Sequence, residues 1–395
     1  MMRAKLKELG TIITGNTPSK KNTEYWGSDD ICFVKPDIID DNLICDITDS
    51  VEHISYAARS KARIVGENTL FVTCIGSIGK IGIAGKGEYA FNQQINAIVP
   101  NETVNAKYLA YALLHNRPQL TAIANAPVVP IINKSQFSDF EINIDSDLCK
   151  QVEAVTILDR VMSLINSRQE ELIALDELIK ARFVEMFGEP IANPMNWDVK
   201  PLKSMSTLIT NGNTPKGGSD NYVEDGILFL RSQNVWRNRI ELDDVAYIDE
   251  ATHAGLKKSS LHNKDILITK TGRINTENSS LGRAALFIGE DNSANINGHV
   301  YLVRLDGSVV PEFVVTILRG EAYSRYIRKV CVGGIDKRQI NLDQVEEFPI
   351  ILPPYEQQQD FAFFKAQVDK SKVVVQKSLD ETQVLFDSLM QEYFG

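Results

Sequence analysis

Along residues 1–147 the apolar positions come in short runs: Ile31 to Val34, Leu70 to Cys74, Ile81 to Ala84 and Ile95 to Val99. Gly, Asn and Pro separate them, a pattern that predicts strands joined by turns. From about Ala106 to Leu114 the period lengthens. Tyr108, Leu109, Ala112 and Leu113 fall on one side of a helix, the one short helix this stretch predicts. From Leu148 to Phe187 there is no proline or glycine, and apolar residues stand at Leu158, Val161, Ile165, Leu172, Leu175, Ile179 and Met186, with Arg168 and Arg182 filling the pattern. That is a heptad stripe. A helix of about 40 residues is roughly 60 Å long, too long to bury its stripe against the small domain beside it.

The same plan recurs. Leu6-Lys7 returns as Leu202-Lys203, Gly15-Asn16-Thr17-Pro18 as Gly212-Asn213-Thr214-Pro215, Phe33-Val34-Lys35 as Phe229-Leu230-Arg231, and Leu70-Phe71-Val72-Thr73 with Gly76 as Ile266-Leu267-Ile268-Thr269 with Gly272. Val104 to Leu113 answers to Val309 to Leu318, whose helix starts at Pro311; Asn133-Lys134-Ser135-Gln136 is matched to Asp336-Lys337-Arg338-Gln339, and Phe187-Gly188 to Phe394-Gly395. The offset grows from 196 to 207, as loop insertions on a shared scaffold produce. The second stripe reads Val368, Val375, Leu379, Phe386, Leu389 and Tyr393, with Lys365, Lys372 and Thr382 as exceptions. Two such helices are expected to pack on each other as an antiparallel pair. The boundaries expected are a sheet-rich domain over 1–147, a helical region over 148–190, a second sheet-rich domain over 191–352 and a second helical region over 353–395.

Composition narrows the class. A chain of 395 residues exceeds what one core supports, so at least two folding units are expected. No run approaches the roughly 18 apolar residues of a membrane span, and Arg3, Lys5, Lys7 and Glu8 open the chain with no apolar core behind them. The five cysteines are never spaced as C-x-x-C, so a reducing cytoplasm is the expected location. A net charge of −10 argues against a protein that coats nucleic acid indiscriminately. The charge is nonetheless uneven, and residues 191–352 are nearly neutral. Arg319, Arg325, Arg328, Lys329, Lys337 and Arg338 form one basic island, and Arg231, Trp236, Arg237 and Arg239 another.

Catalytic constellations fail on spacing. The run from Gly76 to Gly87 is glycine-rich, yet neither Lys80 nor Lys86 completes a phosphate loop, and a tight turn between strands is the better reading. There is no G-x-S-x-G, and His53, His115, His253, His262 and His299 never form H-E-x-x-H. Leu352-Pro353-Pro354-Tyr355 has the outline of the loop with which amino-methyltransferases hold a flipped base, but leucine supplies no acceptor at its first position. No catalytic, metal or cofactor site is expected; the two prolines end a strand, Phe348 to Leu352, and start the second long helix.

That strand leading into Leu352-Pro353-Pro354-Tyr355-Glu356-Gln357-Gln358, the long helix behind it and the tandem duplication together resemble the specificity subunit of a type I restriction-modification system. The resemblance spans the chain, including Phe187-Gly188-Glu189-Pro190 and Asn193-Pro194 through Trp197. It implies an α+β fold: two tandem sheet-rich target recognition domains separated by two long helices forming an antiparallel coiled coil. It also implies partners, namely double-stranded DNA, two methyltransferase (modification) subunits and, for restriction, translocase-nuclease subunits, with each domain reading one half of a split asymmetric site. The first junction departs from the pattern. Ile142 to Gln151 stands where the second copy has Pro353-Pro354 and Glu356-Gln357, leaving Ser146 or Asp147 to cap the first helix.

Reading DNA takes donors and acceptors at base edges and cations at phosphates. The candidates are Lys20, Lys35, Ser77, Lys80, Asn92, Gln93 and Lys134 in the first domain. In the second they are Lys216, Arg231, Gln233, Asn234, Arg237, Lys270, Arg273, Arg283, Lys337 and Arg338. The helix-helix seam is assigned to Leu158, Val161, Ile165, Leu172, Leu175, Ile179, Val368, Val375, Leu379, Phe386 and Leu389. The alternatives are a self-sufficient methyltransferase or nuclease with an unrecognised active site, which binding of a methyl donor would reveal, and a coiled-coil scaffold that binds only proteins.

Overall fold

Apolar runs without alternation mark strands covered on both faces, and the computed structural model of the chain shows why they occur here. It describes residues 1–41, 44–124, 129–215, 217–274, 276, 278–334 and 337–395. In the first domain Leu70–Thr73 is buried throughout: Leu70 and Val72 face the core containing helix Ala106–His115, while Phe71 faces a second core with Phe91 and Ala97. Its sheet runs Gly10–Thr14, Ile95–Pro100, Leu70–Thr73, Ile81–Ala84, Ile44–Ile47, antiparallel except for the last pair. A smaller sheet runs Glu52–Ile54, Ile31–Val34, Tyr89–Phe91, Ile64–Val65, with its middle pair parallel. Met2–Lys5 pairs with Glu141–Ile144.

The second domain repeats this order. Ser206–Asn211, Val300–Leu305, Ile266–Thr269 and Ala284–Leu286 form one sheet; Ala246–Ile248, Ile227–Leu230 and Ala294–Ile296 form another, again with a parallel pair; and Val199–Pro201 pairs with Pro349–Ile351. The duplicated G-N-T-P segment has a steric basis. A Cβ on Gly15 would lie 2.1 Å from the Asn92 carbonyl oxygen, and one on Gly212 would lie 1.9 Å from that of Ile296, so only glycine lets these backbones meet.

Two expectations are corrected. Each domain has more than one short helix: Leu6–Leu9, Arg117–Ala122 and Lys134–Ser138 join Ala106–His115, and Glu250–Gly255, Glu321–Val330 and Leu342–Glu346 join Pro311–Arg319. Most are too short to show a period, and Glu321–Val330 hides its buried Tyr323 and Ile327 among Arg325, Arg328 and Lys329. The second correction concerns the repeat. Asn133 and Gln136 form a reciprocal cap on Lys134–Ser138, and the identical box at Asn341 and Gln344 opens Leu342–Glu346. Asn133 to Gln136 therefore corresponds to Asn341 to Gln344. Lys337 instead precedes, and Arg338 belongs to, a small sheet in which Arg338–Gln339 lies between Thr271–Gly272 and Val332–Gly333.

The long helices span Leu148–Phe187 and Tyr355–Phe394. The chain forms two compact units, Met1–Glu171 with Val375–Gly395, and Leu172–Val374, so each unit holds part of both helices. In the first, Ala154, Leu158, Val161 and Ile165 pack with Phe386, Met390 and Phe394; in the second, Ile179, Phe183 and Phe187 pack with Phe361 and Val368. The start of one helix thus meets the end of the other in each unit, an antiparallel arrangement. No helix among the described residues is long and apolar enough to cross a membrane.

Candidate nucleic-acid interface

Both domains build the same device after their central strand. Thr73, fully buried, donates its hydroxyl to the Ser77 carbonyl and accepts the Lys80 amide at 3.0 Å. Thr269, equally buried, donates to the Ser280 carbonyl and accepts the Arg283 amide at 2.8 Å. The threonine cinches a surface loop that closes through a left-handed glycine, Gly79 at φ +77° or Gly282 at φ +68°. Lys80 and Arg283 are therefore equivalent. The Gly76–Lys80 segment is a turn between strands Leu70–Thr73 and Ile81–Ala84.

In the second domain this loop is longer, and basic residues gather on it. A cleft of 490 Å³ is lined by Thr271, Gly272, Arg273, Thr276, Ser280 and Lys337 together with Asn278 and Ser279, and those last two also line a cleft of 280 Å³ with Trp236, Arg237, Arg239 and Arg283. The Arg283 guanidinium stacks 3.8 Å from the Trp236 ring centre and donates to the Ser279 carbonyl at 3.0 Å. Burial, with Arg237 nearby, pushes the Arg283 pKa below the usual arginine value. Arg237, Arg273 and Lys337 are exposed and form no ion pair among the described residues. Three uncommitted cations beside hydroxyl and amide groups are suited to phosphate and base-edge contacts.

The other second-domain candidates do not line these clefts. Arg231 and Gln233 both hold Asp244, at 3.0 and 2.6 Å, and keep its carboxyl below the usual range, Arg231 being the larger cause. Lys270 sits 5.6 Å from the Tyr301 ring centre, and half-buried Arg338 donates to the Cys331 carbonyl at 3.4 Å. Lys216 lies outside the described residues.

Three of the first-domain lysines are already engaged. Lys20 and Lys35 converge on Glu52 at 3.1 and 2.7 Å, which holds the Glu52 carboxyl below its ordinary value, chiefly through the Lys35 hydrogen bond. Lys80 donates to the Ile39 carbonyl at 3.1 Å and pairs with Asp41 at 3.2 Å. Gln93 accepts from Thr17 at 2.8 Å, while Ser77 and Lys134 are exposed. Two candidates have a different use. Asn92 is buried and bonds Gln94 through both ends of its amide, and Asn234 is buried and bonds the Arg231 amide and the Glu241 and Asp244 carbonyls. Both amide hydrogens of Asn234 are thereby engaged.

The seam candidates divide between the units. Leu158, Val161, Ile165 and Phe386 are buried together, with Leu379 and Leu389 partly buried against them; Ile179 and Val368 are buried with Leu175 beside them. Leu172 is half-buried and Val375 is buried. The stripe's polar interruptions are satisfied: Lys365 pairs with Asp369 at 2.5 Å, and Lys372 with Asp176 of the other helix at 2.6 Å. A further pair was hidden in the sequence. Gln151, fully buried, accepts the Asn105 amide at 2.7 Å and donates to the Asp145 carbonyl at 2.7 Å; Gln358 accepts the Val310 amide at 3.0 Å and donates to the Pro353 carbonyl at 2.8 Å. Each glutamine locks a long helix to the start of the short helix that packs on it. The first helix, which lacks the two prolines, is held by the same kind of glutamine contact as the second.

Comparison with known proteins points one way. Residues 1–175 and 194–379 match the model of the type I restriction modification DNA specificity domain. The chain is 26% identical over 379 residues to the type I restriction enzyme MjaIX specificity subunit of Methanocaldococcus jannaschii, covering 89% of this chain and 82% of that protein. It is 31% identical over 178 residues to the HindI specificity subunit of Haemophilus influenzae, an overlap of 42% of this chain and 38% of that one. Among solved structures, the type I restriction-modification S subunit of M. genitalium shares the fold, with a TM-score of 0.58 at 14% identity over 100% of this chain and 96% of that one. A chain from a structure describing assembly of a type I system aligns with the same TM-score at 15% identity, over 99% of this chain and 97% of that one.

Proposed function

The chain belongs to the type I restriction modification DNA specificity family, and from that premise we propose that it is the non-catalytic DNA-reading subunit of such a complex. Residues 1–147 and 191–352 each read one half of a bipartite, asymmetric site in double-stranded DNA. Residues 148–190 and 353–395 supply the helices on which two methyltransferase subunits dock, with restriction-translocase subunits joining the full complex, in the cytoplasm. The observation that carries the reading is the loop made twice: one cinched by Thr73, one by Thr269, each on the same strand of the same fold and each followed by a basic residue. Two copies of one reading device with different surfaces suit a site whose halves differ.

Docking on the helices is supported by their outward faces. Leu164, Val384 and Leu385 in the first unit, and Ile173, Val184, Phe363, Val373 and Val374 in the second, are exposed apolar residues. Exposed apolar side chains on both helices are what a docked subunit would cover.

The test is to map methylated positions in DNA exposed to the chain assembled with its methyltransferase partners. A split motif with unlike halves supports the reading. Methyl-donor binding or methylation by the chain alone would identify an enzyme instead, and methylation without sequence preference would leave only a scaffold.

A further inference from the structure

On the small sheet of the first domain, away from the cinched loop, three side chains with metal-binding chemistry converge. Cys32 and His53 are direct cross-strand partners in the antiparallel pair of Ile31–Val34 and Glu52–Ile54, so both project from one face. Asp49 reaches them from the turn before His53. That turn is fixed by Ser50, whose hydroxyl accepts the Phe33 amide at 2.9 Å and donates to the Glu52 carbonyl at 2.6 Å. The separations are 3.6 Å from Cys32 Sγ to His53 Nε2, 3.8 Å from Sγ to Asp49 Oδ1, and 3.0 Å from Nε2 to Oδ1.

Those distances can be compared with what a metal requires. A tetrahedral zinc ion, bonded at about 2.3 Å to sulfur and about 2.0–2.1 Å to nitrogen and oxygen, sets its ligand atoms roughly 3.5, 3.5 and 3.3 Å apart. Each observed separation lies within roughly 0.3 Å of its counterpart. The other imidazole nitrogen, Nδ1, lies 3.8 Å from the exposed Asp29 Oδ1, beyond hydrogen-bond distance. Asp49 is largely exposed, which leaves room for water as a fourth ligand.

We propose that Cys32, Asp49 and His53 bind one divalent ion of the zinc class. Burial pushes the Cys32 thiol pKa up, so the group is protonated at neutral pH. As the metal–sulfur bond forms, that proton passes to solvent and no electron changes hands. The ion would clamp the turn at Asp49 to strand Ile31–Val34 and so steady Glu52, the residue on which Lys20 and Lys35 converge.

The experiment titrates the full, untagged, reduced chain with cobalt(II) and then zinc(II). The expected result is one equivalent of cobalt bound with a tetrahedral visible spectrum and a sulfur-to-cobalt charge-transfer absorption, both displaced by zinc. Cys32→Ser should lose the charge-transfer absorption, and Cys149→Ser at an exposed cysteine should keep it. Circular dichroism of each metal-free variant separates loss of metal from loss of fold. A wild-type chain without the charge-transfer absorption, or its persistence in Cys32→Ser, would overturn the site and leave the three residues a hydrogen-bonded brace.

Discussion

Gln151 and Gln358 do by hydrogen bonding what the flanking sequence does differently in the two halves. Each accepts the amide of the residue that begins a short helix, Asn105 or Val310, and removing the acceptor strands that donor away from water. Gln151→Ala and Gln358→Ala should each cost about 1–3 kcal/mol, seen by calorimetry as a lower unfolding temperature, whereas exposed Gln93→Ala should stay within about 0.5 kcal/mol. Glu52 gives a pH dependence. Its carboxyl lies below the usual range because Lys35, and then Lys20, favour the charged form. The pair's contribution is therefore present above about pH 4.3, the unfolded value, and is lost as pH falls through the lowered folded value. Glu52→Gln should be less stable than wild type at pH 7, by no more than about 1 kcal/mol for so accessible a pair, and the two should converge at low pH. At the second-domain clefts, Arg237→Ala and Lys337→Ala should each reduce by about 1 the slope of log binding constant against log salt in the assembled complex, if each cation neutralises one phosphate. An unchanged slope would remove that residue from the phosphate contacts.

At the scale of elements, the heptad spacing made both long helices legible, because a stripe sustained over some forty residues has no other explanation. It did not reveal that aromatic residues dominate one end of the pairing. Phe183, Phe187 and Phe361 of the long helices meet Phe313 of a short helix, with ring centres 4.9 to 5.8 Å apart, and Phe183 and Phe187 lie off the heptad positions read from the sequence. Leu158→Ala, at a fully buried position of the first unit, should cost about 2–5 kcal/mol in that unit's unfolding transition. On the proposed reading the helices also set the DNA spacer. Lengthening both by a matched seven residues keeps the stripe in phase and adds roughly 10 Å, about three base pairs, so the spacer in the methylation map should lengthen with unchanged half-sites. An unaltered spacer would show that the helices do not set it.

For the whole molecule, the duplication was the strongest signal in the sequence, because strand order, turn glycines and both long helices come in pairs. The reading surfaces were less legible for a physical reason. Side-chain identity does not say whether a polar group is already satisfied: Asn92 and Asn234 look like base readers yet are spent on the backbone and Gln94, and Lys20, Lys35 and Lys80 look free yet face carboxylates. Asn278 and Ser279, which join the two clefts, carry no motif. Their trace was the offset, which grows from 196 at Thr73 and Thr269 to 203 at Lys80 and Arg283 and so marks the lengthened loop.

Each sheet-rich domain, having its own core, is proposed to read its own half of the site. This assignment is tested by replacing residues 191–352 with the corresponding domain of a relative of different specificity and mapping methylation by the assembled complex. One half-site should change and the other should be retained base for base. A map in which both halves change together, or neither does, would contradict it.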